Sequence, residues 1–322
     1  MFWRGFNIGA APPGKFPGEF AITKEQYSRW MEELDGLGAN ALRVYTLHPP
    51  HFYEALAEHN SGFRHRYLWL FQGAWCDLPN DLDFYNESFS SEFKSEIRSV
   101  VDAVHGTLTA PARRGHASGT YTADVSRWVA GYVVGREFEP FAVIKTNEAH
   151  PKISDFDGRY LRVRKGSASE CWLAAMCDFL VGYETERYGV AHPVSFTNWP
   201  TLDPITHPTE RERGGTRAYH DEDAVSLNPA VVRATEDFDA GFFATFHAYP
   251  YYPDFMNLDP GYSAATDEHG PCNYAGYLRD LKSVLKGMPL LIGETGVPTS
   301  RGIAHFQPQG LNHGGATEAE QG

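Results

Sequence analysis

Short apolar runs alternate along the chain with segments whose apolar residues recur three and four positions apart. This alternation of strand and helix patterns is typical of a parallel α/β fold. The apolar runs predict seven strands, over residues 2–8, 41–45, 67–71, 129–134, 194–197, 242–246 and 290–293. The helical spacing predicts helices around 27–37, 52–58, 93–104, 169–188 and 274–285. Thr23 and Gln26 form a predicted capping box before the first helix.

Seven strands in this order predict a TIM (β/α)8 barrel whose eighth strand and last helix are missing from the chain. An open ring leaves the edges of its first and last strands unpaired, which is a known liability. We therefore expect one catalytic barrel domain, residues 1–322, that is C-terminally incomplete. A genuine stop codon after Gly322 would contradict this expectation. The polar, proline-bearing stretch at about 200–240 is expected to be a long insertion loop.

The composition narrows the choice of partners. A hydrophobic share of 42% and a charged share of 21% are ordinary for a globular domain. The net charge of -13 argues against a nucleic acid partner, because clustered Lys and Arg carry phosphate binding. No apolar stretch approaches the length of a membrane span, and no signal peptide is recognisable, so the compartment stays open: cytoplasmic, or secreted if an upstream signal was lost. The oligomeric state stays open too.

The four cysteines show no CxxC spacing and are expected to be free core thiols. Fourteen histidines invite a metal interpretation, yet they form neither a His-x-His after the first strand nor an HExxH motif. The glycine-rich stretches lack the strand and helix context of a nucleotide-binding loop. We therefore expect no metal and no cofactor.

Polar and aromatic side chains directly follow the predicted strands, where the chemistry of parallel barrels collects. Glu137 and Glu294 are carboxylates at the ends of two well-separated strands. Two carboxylates that face each other across a sugar-sized gap are what glycoside hydrolysis requires. The full set at the strand ends is Asn7, Arg43, Tyr45, Gln72, Trp75, Glu137, Glu139, Asn198, Trp199, His247, Tyr249 and Glu294.

Four motifs carry a resemblance to the clan A glycoside hydrolases, which are retaining TIM-barrel glycosidases. The stretch GYVVGREFEP around Glu137 resembles their fourth-strand acid/base motif, and LLIGETG around Glu294 resembles their seventh-strand nucleophile motif. The His-Ala-Tyr of His247 and Tyr249 resembles their sixth-strand motif. Arg43 in Leu-Arg-Val-Tyr resembles their second-strand arginine. The motifs follow one another in the expected strand order across nearly the whole chain.

The resemblance implies a role for each matched residue. Glu137 would be the general acid and then the base, and Glu294 the nucleophile that forms a covalent glycosyl-enzyme. Tyr249 would hydrogen-bond Glu294, Arg43 would keep it ionised, and His247 would contact the sugar or Glu137. The implied reaction is retaining hydrolysis of a β-glycosidic bond in an oligo- or polysaccharide.

Further residues are expected to bind substrate or to support the site. The candidates for stacking on sugar rings are Trp75, Trp199, Tyr251 and Tyr252, and Asn198 is a further strand-end candidate. Arg136 stands where the family usually has an asparagine that contacts the sugar 2-hydroxyl. It could reach an anionic substrate group, or pair with Glu139, which is the favoured interpretation.

Two alternatives remain open. Glu139 could itself be the acid/base, because Asn-Glu-Pro is another form of the motif, although the Gly-x-Glu frame favours Glu137. The chain could also be a catalytically silent carbohydrate-binding barrel module of a larger protein. The sequence identifies neither the sugar, nor the linkage, nor exo against endo action.

Overall fold

The fold is described from a computed structural model. The described residues are 2–62, 66–207, 224–250, 252–253, 255–299, 302–305 and 313–321.

Seven parallel strands form the central sheet, and they follow one another in sequence order. They are β1 Gly5–Ile8, β2 Ala41–Val44, β3 Trp69–Ala74, β4 Val129–Val134, β5 Val194–Asn198, β6 Ala244–His247 and β7 Leu290–Glu294. Each pairs in parallel register with its neighbour, for example Asn7 of β1 with Arg43 of β2. The carboxyl ends of all seven strands therefore lie at the same end of the sheet.

Helices separate most of these strands. The longer ones are α1 Lys24–Gly36, α2 Pro50–Ser61, α3 Glu87–Val104, α4 Pro140–Ala149 and α5 Ala168–Tyr188. Between β6 and β7 lie α6 Phe255–Leu258, α7 Pro260–Ser263 and α8 Asn273–Val284, and α9 Glu318–Gln321 follows β7. The predicted capping box before α1 is confirmed: the Thr23 hydroxyl accepts from the backbone N–H of Gln26, whose side chain accepts from the backbone N–H of Thr23.

The sheet curls into a barrel that is nearly closed. Within the described residues, β1 pairs only with β2 and β7 pairs only with β6, and no eighth strand joins them. A side chain spans the seam at the carboxyl end, where Asn7 Nδ2 donates to the carbonyl oxygen of Gly293 at 2.8 Å. The structure thus agrees with an incomplete (β/α)8 barrel of seven strands.

The barrel interior is filled by side chains on alternate strand positions, as the two-residue period of a strand requires. A buried apolar layer consists of Ala41, Phe71, Val133 and Phe243, with Trp3, Ala130 and Leu291 packed against it. Nearer the carboxyl end the interior becomes polar, with the buried side chains of Arg43, Thr245 and His247. The polar side chains of the barrel interior are therefore concentrated at the end formed by the carboxyl ends of the strands.

Several predicted elements needed correction. The third strand runs to Ala74, so Gln72 lies inside the strand, where its amide is buried and donates to the carbonyls of Thr46 and Gly73. Helix α4 was not predicted, because its apolar residues do not form a regular stripe. Of the expected insertion loop at about 200–240, residues 208–223 lie outside the described residues, and within the described part Val232–Ala234 is a strand that pairs with Leu161–Val163.

Two expectations from composition can be compared with the structure directly. All four cysteines are free, and three of them are buried, as expected. Within the described residues, no helix has the length and apolar character needed to cross a membrane.

Candidate active site

The two glutamates lie together at the polar mouth of the barrel. Glu294 is the last residue of β7, and Glu137 follows β4 after a tight turn at Gly135, whose φ is +82°. One carboxylate oxygen of each glutamate and one ring nitrogen of His247 lie within 4.8 Å of one another. Strands that start more than 150 residues apart in sequence therefore bring both carboxyl groups to one point.

His247 links the two carboxylates. Its Nδ1 lies 2.6 Å from Glu137 Oε1 and 3.3 Å from Glu294 Oε1. Its Nε2 lies 2.7 Å from Arg43 Nη1. A guanidinium can only donate, so Nε2 must accept, and the ring proton must be on Nδ1. His247 is therefore a neutral imidazole that donates to Glu137. Burial, and then the charge of Arg43, lower the pKa of His247 to about 3.

Arg43 lies beneath this pair on β2. Its Nη1 donates to His247 Nε2 and, at 3.0 Å, to the carbonyl oxygen of Gly293. These two bonds use both hydrogens of Nη1, which lies 3.8 Å from Glu294 Oε1. Arg43 Nη1 thus interacts with the Glu294 carboxylate by charge attraction and not by a hydrogen bond. Solvent screens this attraction little, because the Arg43 side chain is only 6% exposed.

Two tyrosines flank Glu294. The hydroxyl of Tyr249 donates to Glu294 Oε2, and burial followed by this carboxylate raises the pKa of Tyr249, which keeps the phenol protonated. The ring of Tyr45 lies over the Arg43 guanidinium, with 4.7 Å between the guanidinium carbon and the ring centre. Burial and then the charge of Glu294 raise the pKa of Tyr45 as well.

The sequence places Tyr45 at the end of its strand but does not indicate a role for it. A signal was present: Tyr45 lies two positions after Arg43, and side chains two apart on an extended chain share a face. Tyr45 therefore lies on the same face of the strand as Arg43, from which it can reach the carboxylate of Glu294.

Arg136 and Glu139 form a separate pair beside the site. Arg136 Nη2 donates to Glu139 Oε1 at 2.9 Å, which is the pairing favoured from the sequence. The guanidinium also lies over the ring of Trp75, at 5.2 Å from the ring centre. Glu139 directly precedes helix α4, and Arg136 contacts its Oε1, whereas its Oε2 is buried without a hydrogen-bond partner among the described residues. The Arg136 guanidinium thus interacts with both the Glu139 carboxylate and the Trp75 ring.

The aromatic candidates are placed unequally. Trp75 is 37% exposed, whereas Trp199 is only 8% exposed and its indole N–H donates to the carbonyl of Phe138. Tyr252 packs against the hydrophobic core, and Tyr251 lies outside the described residues. Of the described candidates, Trp75 offers the most ring surface for a sugar.

Asn198 supports the end of β5. It is fully buried, its amide nitrogen donates to the carbonyl of Leu227 at 2.7 Å, and its oxygen accepts from the backbone N–H of Trp199. Both ends of its side chain are used within the protein. Asn198 is therefore placed to support the barrel mouth, and its polar atoms are engaged away from a substrate.

Glu137, His247 and Glu294 also have the residue types of a metal site. A metal ligand needs a free lone pair on the histidine nitrogen that faces the carboxylates. Here that nitrogen is Nδ1, which carries the proton because Nε2 accepts from Arg43. The positive charge of Arg43 beside the trio opposes a cation further. The proton distribution therefore fits hydrogen bonding to carboxylates better than metal binding.

A comparison with protein-family models and another with curated proteins both found no match. The fold is similar to that of an endo-laminarinase from Formosa Hel1_33_131, with a TM-score of 0.51 and 14% identity over 92% of this chain and 66% of that chain. It is also similar to a GH2 β-galacturonidase from Eisenbergiella tayi, with a TM-score of 0.50 and 11% identity over 94% of this chain and 37% of that chain. Both neighbours are glycoside hydrolases, and the likeness at these identities concerns the fold.

Proposed function

We propose that this chain is a retaining glycoside hydrolase that cleaves a β-glycosidic bond through a covalent glycosyl-enzyme. The observation that carries the proposal is that the two carboxylates face each other closely: one oxygen of Glu137 and one of Glu294 lie within 4.8 Å of each other. Retaining enzymes hold their carboxyl groups about 5–5.5 Å apart, whereas inverting enzymes leave roughly 6.5–9.5 Å for a water molecule.

The two carboxylates have different surroundings, which supports different roles. Glu294 is 17% exposed, faces Arg43 and accepts from Tyr249, so its negative charge is stabilised as a nucleophile requires. Glu137 is 37% exposed and its Oε1 accepts from the neutral His247.

The first step is glycosylation. Glu137 in its acid form accepts the His247 hydrogen bond on Oε1, which leaves Oε2 to carry the proton toward the glycosidic oxygen. A Glu294 oxygen attacks the anomeric carbon, the bond from that carbon to the leaving oxygen breaks, and the proton from Glu137 passes to the leaving oxygen. Tyr249 fixes the plane of the attacking carboxylate.

The second step reverses these roles. Glu137 accepts a proton from water, the water oxygen bonds to the anomeric carbon, and Glu294 leaves as a carboxylate stabilised by Arg43. Because His247 is neutral and donates through Nδ1, it can hydrogen-bond Glu137 in both of its protonation states.

Glu137 rather than Glu139 is the proposed acid/base. The Glu139 carboxylate is held in an ion pair by Arg136, whose Nη2 lies 2.9 Å from Glu139 Oε1. Glu137 lies beside Glu294 and His247. We also propose that the seven strands belong to a single (β/α)8-type catalytic domain, since their order and alternation with helices are those of such barrels.

The test combines three substitutions with an activity screen. The panel contains 4-nitrophenyl β-glycosides, laminarin and a β-galacturonide, the last two because of the enzymes that share the fold. We expect Glu294→Gly and Glu137→Ala to lose at least about a thousandfold in kcat, and Glu139→Gln, the matched control, to lose less than about tenfold. Azide should restore turnover of both inactive variants, giving an α-glycosyl azide with Glu294→Gly and a β-glycosyl azide with Glu137→Ala.

Two outcomes would reject the proposal. Proton NMR that shows inversion in the first-formed product would contradict the double displacement. Full activity of Glu294→Gly and Glu137→Ala would remove both catalytic assignments. Glycan binding by a parent protein that turns over no member of the panel would favour the silent carbohydrate-binding module.

A further inference from the structure

The last strand carries an irregularity directly before the nucleophile. β6 and β7 pair residue for residue up to Phe246 and Ile292, but the next pair is His247 with Glu294. Gly293 is therefore an extra residue without a partner on β6, as in a β-bulge. Bulges occur next to active sites, where they redirect a side chain. Here the redirected side chain is that of Glu294.

The bulge exposes a carbonyl group that needs donors. The oxygen of Gly293 accepts from Asn7 Nδ2 at 2.8 Å and from Arg43 Nη1 at 3.0 Å. Asn7 and Arg43 are register partners on β1 and β2, so their side chains approach the oxygen from adjacent strands. A Cβ on Gly293 would lie 2.8 Å from Thr245 Cγ2 and 3.0 Å from Arg43 Nη1, so only glycine fits this approach.

The Asn7 amide crosses the seam at which β1 and β7 share no strand pairing within the described part of the chain. Burial and then the charge of Glu294 raise the pKa of Tyr45, and the Asn7 side chain acts in the opposite direction on the same phenol. One side chain thus holds, across this seam, the carbonyl that directly precedes Glu294.

We propose that Asn7 is a positioning residue for Glu294: its amide holds the bulge at Gly293, and thereby the direction of the nucleophile, across the seam between β1 and β7. The expected effect on kcat rests on the proposed function, whereas the hold of Asn7 on the Gly293 carbonyl can be tested without turnover. Asn7 itself acts through the carbonyl group of Gly293 and is not assigned a contact with substrate.

Three variants test the assignment. Asn7→Ala removes the amide, and Asn7→Asp keeps the shape but places an acceptor against the Gly293 carbonyl. Asn40→Ala is the matched control, because Asn40 also ties β1 to its surroundings: its amide donates to the carbonyl of Phe2, and its oxygen accepts from the backbone N–H of Arg4. These bonds lie at the opposite end of β1 from the glutamates.

The kinetic arm uses the 4-nitrophenyl β-glycoside that the parent hydrolyses fastest. Misplacing a reacting group by about 1 Å can cost about a hundredfold, so we expect Asn7→Ala to lower kcat by about tenfold to a hundredfold, with KM changed less than about threefold. The carboxyl introduced by Asn7→Asp can donate only when protonated. The kcat of Asn7→Asp relative to the parent should therefore rise as the pH falls from about 7 to about 4, while the ratio for Asn7→Ala stays level.

The second arm is hydrogen–deuterium exchange, which needs no substrate. Loss of one net hydrogen bond should speed exchange in peptides covering β7 by about fivefold in Asn7→Ala, and leave it unchanged in Asn40→Ala. Equal exchange in β7 for the parent and Asn7→Ala would overturn the assignment. So would a kcat within about twofold of the parent, or an equal kcat loss in Asn40→Ala. A parent without glycosidase activity would reject the proposed function, and the exchange result would then decide the role of Asn7 alone.

Discussion

Replacing His247 by asparagine should weaken the dependence of the free energy of unfolding on pH in the acid range. The imidazole is 4% exposed and held neutral because its Nε2 accepts from Arg43. Asparagine can offer an N–H near the position of Nδ1, but it cannot be protonated in the accessible pH range. The variant therefore keeps a donor for Glu137 and loses a titrating group.

The magnitude follows from the shift in pKa. Burial and Arg43 lower the pKa of His247 from 6.5 to about 3 in the folded protein. Between these values the unfolded chain binds a proton that the folded protein does not, so the free energy of unfolding falls as the pH falls. From pH 7.5 to pH 4.5 the contribution of His247 should drop by roughly 2 to 3 kcal/mol.

Urea unfolding followed by tryptophan fluorescence at both pH values measures this contribution. Other titrating groups are common to the parent and His247→Asn, so they largely cancel in the difference between them. His48→Asn is the matched control: burial lowers the pKa of His48 to about 3 as well, but its Nδ1 bonds the hydroxyl of Tyr27 away from the glutamates. Each variant should lose the part of the pH dependence of unfolding that its own histidine contributes. Only His247→Asn should lose activity, because asparagine cannot also accept from Arg43 at the position of Nε2.

A difference in unfolding free energy between the parent and His247→Asn that does not change with pH would refute the reasoning. If the unfolding free energies of the parent and His247→Asn differ by the same amount at pH 7.5 and pH 4.5, His247 is not held neutral. The inferred position of its proton, and with it the hydrogen bond to Glu137 from a neutral ring, would then be wrong.

Two further predictions concern a second hydrogen-bonded residue of the site and a buried carboxylate outside it. Tyr249→Phe removes the donor to Glu294 Oε2 and should lower kcat about tenfold to a hundredfold, with a smaller change in KM, in steady-state assays on the best panel substrate; an unchanged kcat would contradict it. Glu184 is fully buried, and although burial opposes it, hydrogen bonds from His105 and His192 lower its pKa to about 2. Glu184→Gln should reduce the free energy of unfolding by roughly 2 to 4 kcal/mol in urea titrations at neutral pH, and a loss below about 1 kcal/mol would contradict this expectation.

The fold could be predicted where one short-range pattern decides the structure. The seven apolar runs correspond to seven strands in the predicted order, and the helix on residues 169–188 is found as Ala168–Tyr188. The strand at Val232–Ala234 escaped prediction because its partner, Leu161–Val163, is about seventy residues away and only that pairing makes it a strand. The end of β3 was misplaced because its last residues are polar or small.

The candidate site divides in the same way. Strand-end position placed Glu137, Glu294, His247 and Arg43 among twelve candidates, because parallel strands present these ends together, and the four motifs then singled them out. Which nitrogen of His247 bears the proton could not be predicted, since it depends on a contact between residues 204 positions apart. The burial of Trp199 could not be predicted from the sequence either, because an aromatic residue after a strand is compatible with both a binding surface and a hydrophobic core.

The two donors to the Gly293 carbonyl come from 250 and 286 residues earlier in the chain. Contacts of such separation are costly to form early in folding, because the loop must close before any contact compensates for its lost entropy. Glu294 can therefore acquire its final direction only when β7 docks against β1 and β2, the strands of the sheet most distant from it in sequence. The geometry of the candidate site would thus form late in folding, after most of the local secondary structure.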